Sequence, residues 1–89
     1  MSYRILWSPT ARRALAQGLP EAVAAAAFEF ARGPLAANPH RVGKRLRPPL
    51  DDRFSARRGE YRVLYLIDDE SGTVSVLTVE HRRDAYRTH

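Results

Sequence analysis

Several kinds of residue and segment are missing from this chain of 89 residues, and each absence excludes a class of protein. There is no cysteine, so disulfide bonds, thiolate metal sites and a cysteine nucleophile are excluded. No stretch approaches the roughly 20 apolar residues of a membrane-spanning helix. The first residues also lack an apolar run of signal-peptide length. We therefore expect a cytoplasmic protein that makes no membrane contact.

Motifs for cofactor, metal and common hydrolase chemistry are missing as well. No glycine-rich phosphate loop follows a predicted strand, and the nucleophile elbow of serine hydrolases does not occur. The three histidines, His40, His81 and His89, do not have the spacing of metal ligands. The length suffices for one domain, residues 1–89, and we expect it to bind no metal and no cofactor.

Basic residues are abundant, and fourteen of the fifteen are arginine. Residues 40–62 carry eight basic and three acidic residues, which is +5, whereas residues 1–39 carry +2 and residues 63–89 carry −2. A concentrated positive field suits a polyanion, and the arginine fork can grip a phosphate with two hydrogen bonds. A solvated basic surface without a specific partner would have the same composition.

The periodicity of the apolar residues predicts an α+β domain. Ser8-Pro9 and Pro20-Glu21 supply the capping and first-turn residues of two helices. Aromatic and β-branched runs on either side of the helices predict strands. The predicted order is strand 3–7, helix 9–18, helix 20–32, a loop over 35–53, and strands 54–57, 61–67 and 73–79.

The last three predicted strands are joined by short turns and therefore predict an antiparallel meander. The resulting order is β-α-α-β-β-β, and the N-terminal helical hairpin is the available cover for one face of the sheet. The run from Tyr61 to Ile67 is almost continuously β-forming, which predicts a central strand buried on both faces.

Antiparallel pairing brings chemically useful side chains to one end of this sheet. The start of strand 61–67 meets the end of strand 73–79, and the turn at Gly59 brings the end of strand 54–57 to the same place. The predicted cluster consists of Arg57, Arg58, Arg62, His81, Arg82 and Arg83, and Tyr86 follows it along the chain.

The cluster has the residue types that metal-free RNA cleavage requires. A general base takes the proton of a ribose 2′-hydroxyl, cations stabilise the phosphorane-like transition state, and a general acid protonates the leaving 5′-oxygen. Histidine suits either proton transfer, arginine suits the clamping of phosphate, and Tyr86 could stack on a base.

Three segments carry a resemblance to a known family: NPHRVGKRL at 38–46, SARRGEYRVLY at 55–65 and HRRDAYR at 81–87. In these segments the chain resembles the RelE/ParE toxin superfamily and, within it, the RelE-like messenger RNA interferases. The resemblance implies the toxin of a type II toxin–antitoxin system. Such toxins are ribosome-dependent endoribonucleases that cut messenger RNA in the A site by metal-free 2′-hydroxyl attack.

The resemblance also implies roles for individual residues. Arg62 matches a phosphate-binding arginine, Arg82 a cation that stabilises the transition state or leaving group, and Tyr86 the tyrosine that stacks on the substrate base. Arg57 falls on a further basic position. Additional RNA contacts are expected from Lys44, Arg45, Arg53, Ser55, Arg58 and Arg83.

One position departs from the family pattern. Some members carry two alternating lysines, as base and charge stabiliser, on the strand before the turn, where this sequence has Arg53 and Ser55. Arginine and serine are poor general bases, so we expect His81 to abstract the proton.

Other functions remain open for the same fold. ParE-like relatives act on DNA gyrase without cutting RNA, and a degenerate toxin could persist only as a DNA-binding co-repressor with its antitoxin. The combination of Arg62, His81, Arg82 and Tyr86 favours the ribonuclease. The expected partners are the ribosome with its messenger RNA and a cognate antitoxin, acidic or amphipathic, that wraps the toxin. Operator DNA is expected only through the antitoxin complex.

Overall fold

The computed structural model describes residues 2–82, which form an α+β structure with all helices on one face of a five-stranded sheet. None of the helices in this part of the chain is long and apolar enough to cross a bilayer. The elements are β1 (Arg4–Trp7), α1 (Pro9–Arg13), α2 (Glu21–Phe30), α3 (Pro39–Val42), β2 (Lys44–Arg45), β3 (Phe54–Arg58), β4 (Tyr61–Asp68) and β5 (Thr73–His81).

The strand order across the sheet is β1-β5-β4-β3-β2. The predicted antiparallel meander of β3, β4 and β5 is confirmed, but the sheet as a whole is mixed. β1 lies parallel to β5, with Arg4 opposite Thr73 and Trp7 opposite Val76. The reason is topological. The helices carry the chain from β1 to the far edge at β2, and the meander then returns across the sheet until β5 lies beside β1.

Both predicted N-terminal helices form, and each ends in a wide π-helical turn. Ser8 caps α1 by accepting a hydrogen bond from the Ala11 backbone N–H at 3.0 Å, with Pro9 in the first turn. A π-helical turn at Ala14–Gly18 follows α1, and a second at Ala31–Leu35 follows α2. The second helical segment was expected to end before Pro34. It continues because the Ala36 N–H bonds the Ala31 carbonyl five residues back and passes over the proline.

The prediction of a plain loop over 35–53 was wrong. This stretch contains α3 and the two-residue edge strand β2, which pairs with β3 through Lys44 opposite Ser55. The buried hydroxyl of Tyr65 donates a 2.6 Å hydrogen bond to the Pro39 carbonyl and so ties α3 to the centre of the sheet. Gly43 then passes so close to β3 that a Cβ there would lie 2.8 Å from the Ser55 carbonyl oxygen.

The helices cover only one face of the sheet, so the prediction that the central strand is buried on both faces was also wrong. Along β4, Tyr61, Val63 and Tyr65 are buried against the helices, whereas the residues between them are partly exposed. This alternation is that of a half-covered sheet. The uncovered face, called the open face below, carries the alternate side chains of β3, β4 and β5.

We expect Gly43→Ala to lower the free energy of unfolding by about 1–3 kcal/mol, because the new methyl group overlaps the backbone of β3 and the Tyr65 hydroxyl. Denaturant titration measures the change. Gly33→Ala is the matched control, since no atom lies within 4 Å of the added Cβ there. Equal stability of the two variants would contradict the close approach at Gly43.

Tyr65 gives the fold a dependence on alkaline pH. Burial raises the pKa of Tyr65 to about 12, above the value near 10 of a free tyrosine. The unfolded chain therefore loses this proton first, and stability falls as pH rises from about 10 towards 12. Tyr65→Phe should show a shallower alkaline loss of stability, although it loses about 1 kcal/mol at neutral pH with the Pro39 hydrogen bond. Thermal melts between pH 8 and 12 test the difference, and parallel curves would contradict it.

Candidate functional site

Three charged side chains form a row across the open face. Arg57 of β3 lies directly opposite Arg62 of β4, and Arg62 lies opposite Glu80 of β5. Directly opposed residues share a face of the sheet, with Cβ atoms about 4.5–5.5 Å apart. Because the sequence neighbours Ala56 and Val63 are buried against the helices, the row points away from them.

Arg62 and Glu80 form an ion pair within this row. The Arg62 Nη2 and Nε atoms both donate to Glu80 Oε1, at 2.9 and 3.2 Å. The side chains are 37% and 45% exposed, so the pair contributes little to stability. Its consequence is geometric, since it fixes the direction of the Arg62 guanidinium on the open face.

The row opens into a cleft of about 390 Å³ at the end of the sheet, around the β3–β4 turn. Gly59 forms this turn with a φ of +53°, a left-handed conformation that side chains rarely adopt. The Arg82 N–H bonds the Glu60 carbonyl, which extends the β5 pairing beyond His81 and holds Arg82 beside the turn. The cleft is lined by Arg57, Gly59, Tyr61, Arg62, Glu80, His81 and Arg82.

The two potential proton acceptors of β5 lie on opposite faces. His81 pairs with Tyr61, whose side chain packs against α2, and His81 is only 8% exposed. Glu80 pairs with Arg62 and is on the open face. Both line the cleft, but Glu80 shares its face with Arg57 and Arg62, whereas His81 belongs to the helix-covered side.

Tyr61 contributes to the wall of the cleft and not to its charge. Its hydroxyl donates a 3.3 Å hydrogen bond to the Ala26 carbonyl of α2. Burial raises the pKa of Tyr61 above that of free tyrosine, and the nearby Arg58 lowers it to a smaller extent. Tyr61 therefore keeps its proton at neutral pH.

The remaining basic residues are distributed over a wider surface. A second cleft, of about 460 Å³, adjoins the first, and Arg57 lines both. Arg41, Lys44 and Ser55 also line the second cleft, so a basic track continues from the end of the sheet towards the β2 edge. A nucleic-acid strand longer than one nucleotide could follow this track.

Three arginines predicted to contact RNA are engaged within the protein. Arg58 donates to the Val42 carbonyl at 2.8 Å and lies over the Phe30 ring at 4.9 Å, although it also lines the second cleft. Arg45 lies over the Phe54 ring and donates to the Asp51 carbonyl. Arg53 lies 3.6 Å from Asp52. The contacts of Arg45 and Arg58 give these two side chains structural roles, whereas the buried Nε of Arg53 has no hydrogen-bond partner among the described residues.

Two predicted residues, Arg83 and Tyr86, lie outside the described residues. Within residues 2–82, no group of three or more histidine, aspartate or glutamate side chains could hold a metal ion. Sequence reasoning missed Glu80, whose signal was its position two residues after Thr78 in a strand predicted to pair with the strand that carries Arg62. It also missed Arg41, which stands in the basic segment 40–62.

Comparisons with known proteins agree with this architecture. Residues 2–86 match the family model described as the ParE toxin of the type II toxin–antitoxin system parDE. Toxin RelG of Mycobacterium tuberculosis is 54% identical over 87 residues, which is 98% of this chain and 99% of the relative. Toxin RelE of the same organism is 49% identical over 85 residues, which is 96% of this chain and 87% of the relative.

A solved structure agrees in fold and in sequence. The toxin–antitoxin complex RelBE2 from Mycobacterium tuberculosis contains a chain that matches with a TM-score of 0.88 and 52% identity. The match covers 92% of this chain and all of that chain.

We expect Arg57→Ala and Arg62→Ala each to weaken binding of a single-stranded RNA that carries 2′-O-methyl groups and cannot be cleaved. Each lost phosphate contact should reduce the slope of log K against log salt by about 0.7. Fluorescence anisotropy at several salt concentrations measures both quantities. Arg12→Ala is the control, because Arg12 is an exposed arginine of α1 on the opposite side of the sheet. An equal loss in all three variants would contradict binding at the cleft.

Proposed function

The chain belongs to the RelE/ParE family of type II toxin–antitoxin toxins, and from this premise we propose that it is a ribosome-dependent endoribonuclease that cleaves messenger RNA in the A site. The observation that carries the proposal is the cleft of about 390 Å³ lined by Arg57, Arg62 and Arg82. Three permanently charged forks around one small cleft suit a phosphodiester whose negative charge increases in the transition state.

The reaction is attack of a ribose 2′-hydroxyl on the adjacent phosphorus, without a metal ion. Arg57 and Arg62 bind the phosphate from the open face, and Arg82 stabilises the charge that builds up on the phosphate or the leaving oxygen. Tyr86 stacks on the base beside the cut. His81, at the inner wall of the cleft, is available for proton transfer.

The basic track binds the RNA on either side of the cut. Lys44 and Ser55 lie along the second cleft, and Arg57 is shared between the two clefts. Arg45, Arg53 and Arg58 support this surface through the contacts described above and add to its positive field. Arg83, which directly follows Arg82, supplies a further cation.

A cognate antitoxin is the second partner in this proposal. The M. tuberculosis relative was solved as a toxin–antitoxin complex. An acidic or amphipathic antitoxin segment would neutralise the arginine-rich face of this chain and cover the cleft. Operator DNA would then be contacted only through that complex.

A gyrase-directed toxin is the competing function, because the matching family model is described as a ParE toxin. Binding to gyrase does not require an arginine-lined cleft of the size of a single phosphodiester. The two functions therefore differ in the product that accumulates when the protein acts.

Primer extension on a messenger RNA tests the proposal when the purified protein is added to a translating extract, and the same RNA without ribosomes is the control. We expect cuts within codons that require ribosomes, and a loss of at least about 10²-fold in rate for Arg82→Ala. Arg12→Ala should cut like the unaltered protein. Intact message together with a supercoiling defect would overturn the ribonuclease and favour the gyrase-directed toxin.

A further inference from the structure

We propose that Glu80 is the general base of this cleft, the group that takes the proton of the attacking 2′-hydroxyl. The inference rests on the proposed ribonuclease function and assigns a residue that sequence reasoning did not consider. It replaces His81 in that role and leaves His81 available for another one.

The lining of the cleft leaves few candidates for a proton acceptor. Arginine side chains stay charged at any pH at which the protein is folded and cannot accept a proton. Tyr61 keeps its own proton, because its pKa is raised by burial and its hydroxyl is bound to the Ala26 carbonyl. Among the lining residues that the structure describes, Glu80 and His81 remain.

The cross-strand register separates these two candidates. The 2′-oxygen attacks the phosphorus carried by the adjacent 3′-oxygen of the same ribose, and the two atoms must approach to about 3–3.5 Å. The base must therefore lie on the same face as the groups that hold the phosphate. Glu80 is directly opposite Arg62 and shares the open face with Arg57, whereas His81 is opposite Tyr61 and is 8% exposed.

The ion pair with Arg62 prepares Glu80 for this role. Both contacts from Arg62 go to Oε1, which leaves Oε2 free of that arginine. Arg62 Nη1 makes neither contact and can donate to a phosphate oxygen. One guanidinium can thus hold the base and the phosphate side by side.

The proposed step is balanced within the cleft. Glu80 Oε2 takes the proton of the 2′-hydroxyl while the 2′-oxygen forms a bond to phosphorus. The bond between phosphorus and the 5′-oxygen breaks, and that oxygen takes a proton from His81 or from water. The products are a 2′,3′-cyclic phosphate and a 5′-hydroxyl end. Glu80 then returns its proton to solvent.

Single-turnover cleavage of ribosome-bound message, followed from pH 5 to 9, tests the assignment with Glu80→Gln. Glutamine keeps the size of the side chain and can still accept a hydrogen bond from Arg62, but it cannot take the proton. We expect a loss of about 10²–10⁴-fold in the cleavage rate. The rise of the rate with pH on the acid side should also disappear. The charged and titratable groups that line the cleft together with Glu80 are Arg57 and Arg62 on its own face, Arg82 at the rim, and Tyr61 and His81 on the helix-covered side.

Three further variants separate this role from others. Glu80→Asp should keep part of the rate and the acid limb of the pH profile. His81→Gln should keep the acid limb. Glu29→Gln is the matched control, because Glu29 also lies near an arginine, Arg32, at 3.8 Å, but is an exposed residue of α2 far from the open face. Binding of the 2′-O-methyl RNA to Glu80→Gln should be unchanged or tighter, since a negative charge has been removed.

Each result has a definite meaning. Cleavage by Glu80→Gln within about twofold of the unaltered protein overturns the assignment while leaving the ribonuclease intact. A slower variant with weaker RNA binding and an unaltered pH profile also overturns it, since Glu80 would then only position Arg62. Loss of the acid limb in His81→Gln returns the role to His81. Absence of any cleavage by the unaltered protein, or cleavage that Arg82→Ala does not slow, overturns the proposed function and the inference together.

Discussion

A one-residue bulge in β5 determines which side chains reach the open face of the sheet. Leu64 lies opposite Thr78 and Tyr65 opposite Val76, so Leu77 is the additional residue between the two pairs. Before the bulge Val74 and Val76 are buried, together with Thr73 at the start of the strand, and after it Val79 and His81 are buried. Without the extra residue, Glu80 would point at the helices and His81 at the open face. Bulges commonly redirect a side chain beside a functional site, and this one exchanges the faces of the sheet on which Glu80 and His81 lie.

The positive charges around the cleft are only partly neutralised by acidic side chains of the protein itself. Arg57 and Arg62 stand directly opposite each other, and such like-charged pairs destabilise a sheet by a few tenths of a kcal/mol to about 1 kcal/mol. Glu80 offsets this only for Arg62. With Arg82 at the rim, the cleft has three cations and one carboxylate, a net charge of +2. A bound phosphate would reduce the repulsion between Arg57 and Arg62 in the folded state. Functional sites commonly retain interactions of this kind that lower the stability of the protein.

Local signals in the sequence predicted those parts of the fold that depend on neighbouring residues. The cap at Ser8 and the turn at Gly59 depend on backbone chemistry within a few residues, and both were predicted. The alternating burial along β4 was not predicted, because its partly exposed positions carry apolar residues such as Leu64 and Leu66. Residues 35–53 were misjudged because α3 and β2 are too short for periodicity, and long-range contacts stabilise them, such as that between Tyr65 and Pro39. The parallel pairing of β1 with β5 depends on the path of the whole chain, which no local pattern contains.

The candidate site was predictable in its location and only partly in its detail. Strand pairing placed the arginines of β3 and β4 and the end of β5 together, but sequence could not tell that Arg58 turns to the Phe30 ring and the Val42 carbonyl. The orientation of Glu80 was, however, indicated by the sequence of β5. The apolar residues Val74, Val76 and Val79 change from even to odd positions, which is the pattern that a bulge produces in a half-buried strand.

In the proposed mechanism, Arg62 joins substrate binding to proton transfer. The Nε and Nη2 atoms of Arg62 both donate to Oε1 of Glu80, whereas Nη1 takes no part in these two hydrogen bonds. A phosphate bound to the same guanidinium would be placed beside the carboxylate without any movement of the backbone, because the register of β4 and β5 already places Arg62 and Glu80 directly opposite each other. In family members with alternating lysines, charge stabiliser and base stand on one strand. Here Arg53 and Ser55 occupy those positions. The charge stabiliser and the base can instead stand on two neighbouring strands, as Arg62 of β4 and Glu80 of β5, which are joined by side-chain hydrogen bonds.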